Sequence, residues 1–332
     1  MGGVRYLRKR AGFLKRHAPR YLAEARAGDP AMPAWRRLRY VAEGFHPLEG
    51  SWYDQAGIDR GACVSNFHRE TALHGLNGHR ASVLDDKLLF AQALESAGVP
   101  HPTVFGHSHR GRWHWREDGR ARFEESIARE VYGVVKPVFG KKGLSVARVR
   151  SVEEALAQPG SELVATAFVR QAEYAQAINP GSLNTIRLVT LDRNGGEPVL
   201  IGAVHRFGAA GTGEVDNFSA GGVVARIDPR TGVLDRAVRV GPGNRLDWLD
   251  RHPDTAEPIA GVRVEAWEEV LALTRRLGAL FPFLPYVGWD LAVSRDGATV
   301  IEGNAHPSLR FFQIYAPLLD DSAAGRSLAA ML

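Results

Sequence analysis

A single cysteine, Cys63, occurs in this sequence, which excludes an internal disulfide framework and a cysteine-rich zinc site. A chain so poor in cysteine is typical of a reducing compartment, so we expect a cytoplasmic protein. No apolar run is long enough for a transmembrane helix, and the basic N-terminus lacks the continuous apolar segment of a secretory signal. Internal repeats and low-complexity tracts are also lacking. The composition, 45% hydrophobic and 24% charged, is that of an ordinary globular protein.

Negative charge is scarce near the N-terminus, while the whole chain carries a net charge of +5. The basic residues of this region are Arg5, Arg8, Lys9, Arg10, Lys15, Arg16, Arg20, Arg26, Arg36, Arg37 and Arg39. Apolar residues at helical spacing, interrupted by Pro30 and Pro33, predict short helices. A solvated helical face is favoured over a nucleic-acid or membrane patch, because the stacking aromatics and motif spacing of RNA or DNA binding are absent. We expect no nucleic-acid and no membrane partner; a homodimer through these helices stays open.

The remaining chain alternates short strands and helices. Residues 84–98 predict an amphipathic helix with Lys87 in its first turn. Further strands are predicted at 113–115, 132–138, 144–149 and 162–169, with helices at 122–131, 151–158 and 264–280 and a last helix from about Leu309. Four more strands, separated by turn residues, are predicted at 185–192, 198–206, 222–228 and 233–240. This second group indicates a largely antiparallel sheet, followed by a loop at 241–260.

Residues 287–304 predict a β-hairpin in which two acids meet. A three-residue turn centred on Asp296, with Gly297 in its left-handed position, places Asp290 directly opposite Glu302. The face of Trp289, Leu291, Val293, Thr299 and Ile301 is then the core face. Two opposed carboxylates repel each other, and a divalent cation would remove that repulsion. Together with Asn304 they offer the oxygen ligands that suit Mg²⁺, although a solvent-facing polar side of an ordinary hairpin is the alternative.

Two further segments carry groups suited to an anionic ligand. A strand containing Lys136 leads into a loop with two glycines and two lysines at 140–143, where backbone N–H groups and ammonium groups could approach phosphate. Such loops are also common as plain surface hairpins. Arg187 interrupts an otherwise apolar strand, so it is either an edge-facing arginine or a buried one that needs an anionic partner. The histidines at 68, 74 and 79 are not spaced for a shared metal and are expected at the core edge or surface, although His68 and Arg69 could face a substrate.

Taken in order, these segments resemble the ATP-grasp superfamily, and more closely its sugar-transfer-associated branch, over about residues 45–320. The resemblance implies an α+β fold in which two α+β subdomains clasp ATP, preceded here by a mainly helical N-terminal region. We expect the helical, basic region at 1–82, the small (lid) subdomain at 83–178 and the C-terminal subdomain with the metal site at 179–332.

The resemblance also assigns roles to individual residues. The matching nucleotide-binding positions are Lys87, Lys136, Gly140, Lys142, Gly143, Ser145, Thr166, Ala167, Phe168, Val169, Glu173 and Asn217. Glu173 matches an acid that binds ribose, and Thr166 stands where the family often has Glu or Gln, which leaves the adenine contact to backbone groups. The matching metal ligands, for one or two Mg²⁺, are Asp290, Glu302 and Asn304. The candidates for stabilising charge on the reacting groups are Arg187, Arg206 and Arg310.

The activity that the resemblance implies is an ATP-dependent carboxylate–amine ligase. A small-molecule carboxylate would be activated as an acylphosphate, and an amine would then form an amide or peptide bond, with release of ADP and phosphate. One alternative keeps the fold and phosphorylates a hydroxyl of a small molecule or sugar. A second alternative is a non-enzymatic basic binding module. The sequence identifies neither the acid nor the amine.

Overall fold

The computed structural model describes residues 2–27, 32–140, 146–192, 195–210, 212, 218 and 221–332. Its helices are α1 Gly2–Ala27, α2 Ala34–Glu43, α3 Pro47–Gln55, α4 Asn66–His68, α5 Ser82–Asp85, α6 Lys87–Ser96, α7 Gly119–Glu130, α8 Val152–Leu156, α9 Glu173–Ile178, α10 Trp267–Leu280, α11 Arg310–Gln313 and α12 Ala323–Ala329. The described residues also include a π-helical turn at Arg69–Leu73 and short 3₁₀ turns at Arg60–Ala62, Gly78–Ala81 and Pro242–Asn244. No helix in the described part of the chain combines the length and apolarity that a membrane crossing requires.

A five-stranded antiparallel sheet forms the smaller of two sheets. Its strands are β1 Val104–His109, β2 Arg112–Trp115, β3 Gly133–Pro137, β4 Ala147–Val149 and β5 Leu163–Ala167, in the order β2-β1-β5-β3-β4. Helices α7 and α8 cover one face, where the buried Phe123, Ile127 and Val152 pack with strand residues such as Val135. The small sheet therefore has its own hydrophobic core.

A seven-stranded antiparallel sheet forms the larger unit. Its strands are β6 Thr185–Leu191, β7 Val199–Phe207, β8 Val223–Ile227, β9 Leu234–Val240, β10 Leu246–Leu249, β11 Tyr286–Ser294 and β12 Gly297–Asn304, in the order β10-β9-β8-β7-β6-β11-β12. One face packs against α10 and α6 through residues such as Leu188 and Trp289. The other face packs against the N-terminal helices and α11 through residues such as Val189 and Tyr286. The expected α+β architecture with a helical N-terminal region is confirmed.

Several boundaries differ from those expected from the sequence. The first helix is long and runs through Pro19, and its buried Phe13 packs on Phe67 with ring centroids 5.5 Å apart. The expected helix over 84–98 is divided at Asp86, whose carboxylate caps a new helix by accepting from the backbone N–H groups of Leu88 and Leu89. This cap places Lys87 at the first residue of α6. Strands β1 and β10 lie where the sequence predicted none.

Candidate functional site

The hairpin of β11 and β12 brings the two predicted acids together. Asp290 lies directly opposite Glu302, as expected, and Gly288 lies opposite Asn304. The rest of the predicted register is wrong, because Ser294 pairs with Gly297 across a two-residue turn. A bulge at Ile301 then restores the Asp290–Glu302 pairing.

The expected core face of the hairpin is wrong for the part of β12 between the turn and the bulge. Ala298 and Val300, rather than Thr299 and Ile301, join the hydrophobic core on the β12 side. The shortened turn shifts the alternation of this strand by one residue, and the bulge shifts it back before Glu302.

Asp290 is the centre of a buried ion network. Arg187 lies opposite it on β6, and both its Nε and its second terminal nitrogen donate to the carboxylate, the latter at 2.7 Å. A terminal nitrogen of Arg206 lies 3.1 Å from the same carboxylate. Burial acts to raise the pKa of Asp290, but the two guanidinium groups outweigh it and hold the pKa below its ordinary value. Arg187 is thus the buried arginine with an anionic partner, not an edge-facing one.

Unlike Asp290, Glu302 is not neutralised by a hydrogen-bonded cation from the described part of the chain. Its carboxylate accepts no hydrogen bond from any residue in the described ranges, and its closest cation is the Lys87 ammonium at 4.0 Å. Burial raises the pKa of Glu302, and the negative charge of Asp290 raises it further against the opposing effect of the nearby lysines. Glu302 is therefore a carboxylate that would gain from an added cation.

Two lysines from different elements approach this carboxylate. The Lys87 ammonium donates to the carbonyl of Gly140 at 3.0 Å, so α6 is linked to the start of the predicted phosphate loop. Lys136 on β3 forms no hydrogen bond among the described residues, and burial lowers its pKa to about 8, with Glu302 opposing and Lys87 adding to that shift. Positive charge from the small sheet and from α6 thus converges on the edge strand of the large sheet.

The predicted adenine and ribose residues lie at the end of β5 and just beyond it. Thr166 is buried, Ala167 donates its backbone N–H to Thr103, and Phe168 packs on Tyr132 with centroids 5.7 Å apart. Glu173 is exposed in the first turn of α9 and forms no hydrogen bond within the described ranges. Its carboxylate is therefore accessible to a ligand.

Other predicted positions have different surroundings. The guanidinium of Arg310 lies 3.8 Å from Glu49 and covers the rings of Trp52 and Phe311. The predicted residues Lys142, Gly143, Ser145 and Asn217 lie outside the described residues.

Glu49 is a residue to which the sequence assigned no role. It is buried and accepts from Asn66 at 2.9 Å. Burial acts to raise its pKa, but arginines led by Arg69 and Arg310 lower it to about 2. No sequence pattern marks Glu49, because its partners come from three distant segments.

Comparison with known proteins identifies the family. The model of the sugar-transfer associated ATP-grasp family matches residues 146–322, just over half of the chain. The chain belongs to this family. The family match includes Arg187, Arg206 and the three predicted metal residues, and it ends before the last helix. In a comparison with curated proteins, none matches this chain.

Solved ATP-grasp structures resemble the chain only distantly. The ATP-grasp ligase PsnB, complexed with a minimal precursor, is 16% identical over 77% of this chain and 62% of its own, with a TM-score of 0.42. D-alanyl-alanine synthetase A from Vibrio cholerae is 9% identical over 76% and 65%, with a TM-score of 0.46. L-amino acid ligase from Bacillus licheniformis is 14% identical over 70% and 43%, with a TM-score of 0.41. The chain spans less than two thirds of these relatives, and such distant likeness assigns no activity.

The family implies a metal, and the donor set of this chain fits Mg²⁺. Glu302 has acceptor oxygens that no described residue uses, and burial together with the charge of Asp290 raises its pKa. Asn304 accepts one hydrogen bond from the backbone of His306 at 2.9 Å, which leaves its amide oxygen a second lone pair. Asp290 is neutralised by Arg187 and Arg206, so Glu302 and Asn304 are the principal candidate ligands.

Proposed function

We propose that this chain is an ATP-dependent carboxylate–amine ligase that activates a small-molecule acid as an acylphosphate. The proposal includes the three regions expected from the sequence: 1–82, 83–178 and 179–332. The small subdomain and the C-terminal subdomain would clasp ATP, and the N-terminal region would contribute to the acceptor side. Membership of the ATP-grasp family and the arrangement of charged groups support this assignment.

The observation that carries the proposal is the convergence of opposite charges on Glu302. Lys87 belongs to α6 and Lys136 to the small sheet, yet both act on a carboxylate of the large sheet. A cluster with two ammonium groups, an underneutralised carboxylate and an amide oxygen suits a metal–triphosphate ligand, in which anionic oxygens and a cation occur together. In a plain structural salt bridge, Lys136 and Glu302 would both form hydrogen bonds. Here neither residue forms one among the described residues.

In the proposed reaction, an oxygen of the acid attacks the γ-phosphorus of ATP, and ADP leaves with the electrons of the broken P–O bond. The amine then attacks the acyl carbon and loses a proton, and phosphate leaves. Lys87 and Lys136 would offset charge on the phosphoryl oxygens, and Arg187 and Arg206 would offset charge on the acylphosphate. Mg²⁺, held by Glu302 and Asn304 beside Asp290, would supply Lewis-acid neutralisation of phosphate oxygens.

Nucleotide recognition would use the end of β5. The backbone from Thr166 to Val169 would contact adenine, and the exposed Glu173 would accept hydrogen bonds from ribose hydroxyls. Phe168 packs against both the ring of Tyr132 and the guanidinium of Arg148, whose Cζ is 5.5 Å from the Phe168 centroid. These neighbours would fix the linker before nucleotide arrives.

Hydroxylamine trapping tests the proposed function. Purified protein is incubated with Mg-ATP, a panel of candidate acids and hydroxylamine, and both hydroxamate and ADP are measured. A ligase gives acid-dependent hydroxamate in proportion to ADP, because hydroxylamine captures the acylphosphate. A stable phosphoester formed without any amine would instead show that a hydroxyl is the acceptor and that the protein is a kinase.

A further inference from the structure

Arg69 links the N-terminal helical region to the loop that follows the metal residues. It begins the π-helical turn Arg69–Leu73, and one terminal nitrogen donates to the hydroxyl of Ser308 at 3.0 Å. Ser308 follows Asn304 by four residues on the way to α11. The Arg69 side chain is only 11% exposed. A guanidinium is thus buried beside the candidate active site, on an element outside the sequence matched by the family model.

The donors of Arg69 are not fully used. Its Nε–H is buried and has no hydrogen-bond partner among the described residues. Two acids feel the charge of Arg69. Glu70 is 4.0 Å from a terminal nitrogen, too far for a hydrogen bond, and is bonded instead to His17 at 2.6 Å. The buried Glu49 has its pKa lowered by Arg69 but forms no hydrogen bond with it among the described residues. Because a buried N–H without a partner costs free energy, a native protein seldom retains one without a functional reason.

Tyr286 is influenced by the charges of both Arg69 and Arg187, and Arg187 binds Asp290. Burial raises the pKa of Tyr286, while Arg69 and Arg187 both act against the rise, so the charges of both guanidinium groups reach this ring. Arg187 at the same time holds Asp290. Tyr286 and Asp290 lie on one face of β11, four residues apart, which corresponds to about 13 Å along the strand.

We propose that Arg69, together with Ser308, binds a second anionic group of the acceptor acid, remote from the carboxylate that is activated. This inference rests on the proposed function and adds to it the substrate class: the acid is a dianion whose distal group is a carboxylate or a phosphate. A guanidinium with a free Nε–H and terminal N–H groups offers the forked donor pattern that both groups accept. The N-terminal helical region thereby selects the acid, while the two sheets bind the nucleotide.

Calorimetric titration of the full-length chain without nucleotide tests the proposal. The probes are linear dicarboxylates of increasing length, phosphonocarboxylates of matching length, and monocarboxylates. Wild type is expected to bind at least one dianion, and Arg69→Gln to bind it at least tenfold more weakly, with less than a twofold effect on monocarboxylates. Arg69→Lys, which keeps the charge but loses the fork, is expected to recover only part of the affinity. Which series binds identifies the distal group as carboxylate or phosphate.

Arg275→Gln, an exposed arginine substitution on α10, is the matched control and should leave every affinity unchanged. The proposal is overturned if no dianion binds the wild type at millimolar concentration, or if Arg69→Gln weakens dianions and monocarboxylates equally. Mg-ATP binding is measured separately on each variant. If the wild type does not bind Mg-ATP, the proposed function is contradicted. The dianion titration then still decides the role of Arg69.

Discussion

Arg187 and Asp290 face each other on neighbouring strands and form a bidentate ion pair within the large sheet. Their side chains are 8% and 7% exposed. The residue expected to stabilise the acyl intermediate therefore binds a residue expected to bind metal. The acid at 290 is strongly compensated, whereas the acid at 302 is not, so the two members of the carboxylate pair have opposite electrostatic surroundings.

Arg187→Met should destabilise the protein. It removes the main counter-charge of a buried carboxylate, and breaking one side of such a pair typically costs about 3 kcal/mol. Arg206, which remains near Asp290, limits the loss. Urea denaturation monitored by fluorescence would measure it.

The double variant Arg187→Met with Asp290→Asn should recover part of that stability, because the uncompensated charge is then gone. Arg275→Met, on the exposed surface of α10, is the control and should change stability by less than about 0.5 kcal/mol. An equally small effect of Arg187→Met would show that the pair is not formed as described.

The hairpin shows which features of the site the sequence predicts and which it does not. Alternation and a glycine turn correctly predicted that Asp290 faces Glu302, but two errors cancelled on the way. The turn has two residues rather than three, and the bulge at Ile301 compensates. Because a bulge leaves no signal in the alternation of a short strand, the sequence could not distinguish these registers.

The sequence also could not predict contacts between segments that lie far apart in the chain. Lys87 was predicted in a helical first turn, but its approach to both Gly140 and Glu302 depends on how α6, the small sheet and β12 pack together. Arg310 lies against Glu49, because α11 packs on the N-terminal helices, and its role toward the reacting groups stays a prediction. Local patterns predicted the elements well, whereas pairing across domains depends on tertiary packing that no local pattern encodes.

Glu302→Gln should abolish ADP release while preserving the fold. The carboxylate is the least neutralised acid of the site, so its loss removes the main candidate metal ligand. We expect a decrease in Mg-dependent turnover of more than about 100-fold, equivalent to roughly 3 kcal/mol. The thermal midpoint should stay the same or rise, because the repulsion with Asp290 is removed.

Asn304→Ala should likewise abolish turnover, and Glu125→Gln on the exposed face of α7 serves as the control. Turnover that survives both site changes would rule out this metal assignment.

Lys136 should make stability depend on alkaline pH. Its ordinary pKa of 10.5 falls to about 8 in the folded chain, so between these values the unfolded chain keeps a proton that the folded chain releases. The contribution of Lys136 to stability therefore rises with pH across this window and is constant below it. The free energy of unfolding of wild type, minus that of Lys136→Met, should increase from about pH 8 to about pH 10. A flat difference would contradict the lowered pKa.

Lys136 should also make nucleotide binding weaken as the pH rises. Only the protonated ammonium attracts phosphate, so the affinity for a non-hydrolysable ATP analogue should fall above about pH 8, approaching tenfold per pH unit. Lys136→Arg, which keeps its charge throughout, should show no such fall. Isothermal titration calorimetry at several pH values measures both proteins, and parallel curves for the two would exclude Lys136 from the phosphate site.

Glu173 provides a test of the ribose assignment that is independent of the metal and the phosphates. The carboxylate is exposed and forms no hydrogen bond in the described part of the chain, so Glu173→Gln should leave the thermal midpoint unchanged. Hydrogen bonds from ribose hydroxyls to a charged acceptor are worth about 1.5–3 kcal/mol, so the affinity for ATP should fall by roughly 10-fold to 100-fold. With 2′,3′-dideoxy-ATP, which lacks both hydroxyls, wild type and Glu173→Gln should bind alike. If the variant loses as much affinity for the dideoxy nucleotide as for ATP, Glu173 acts through the charge of the site and not through ribose.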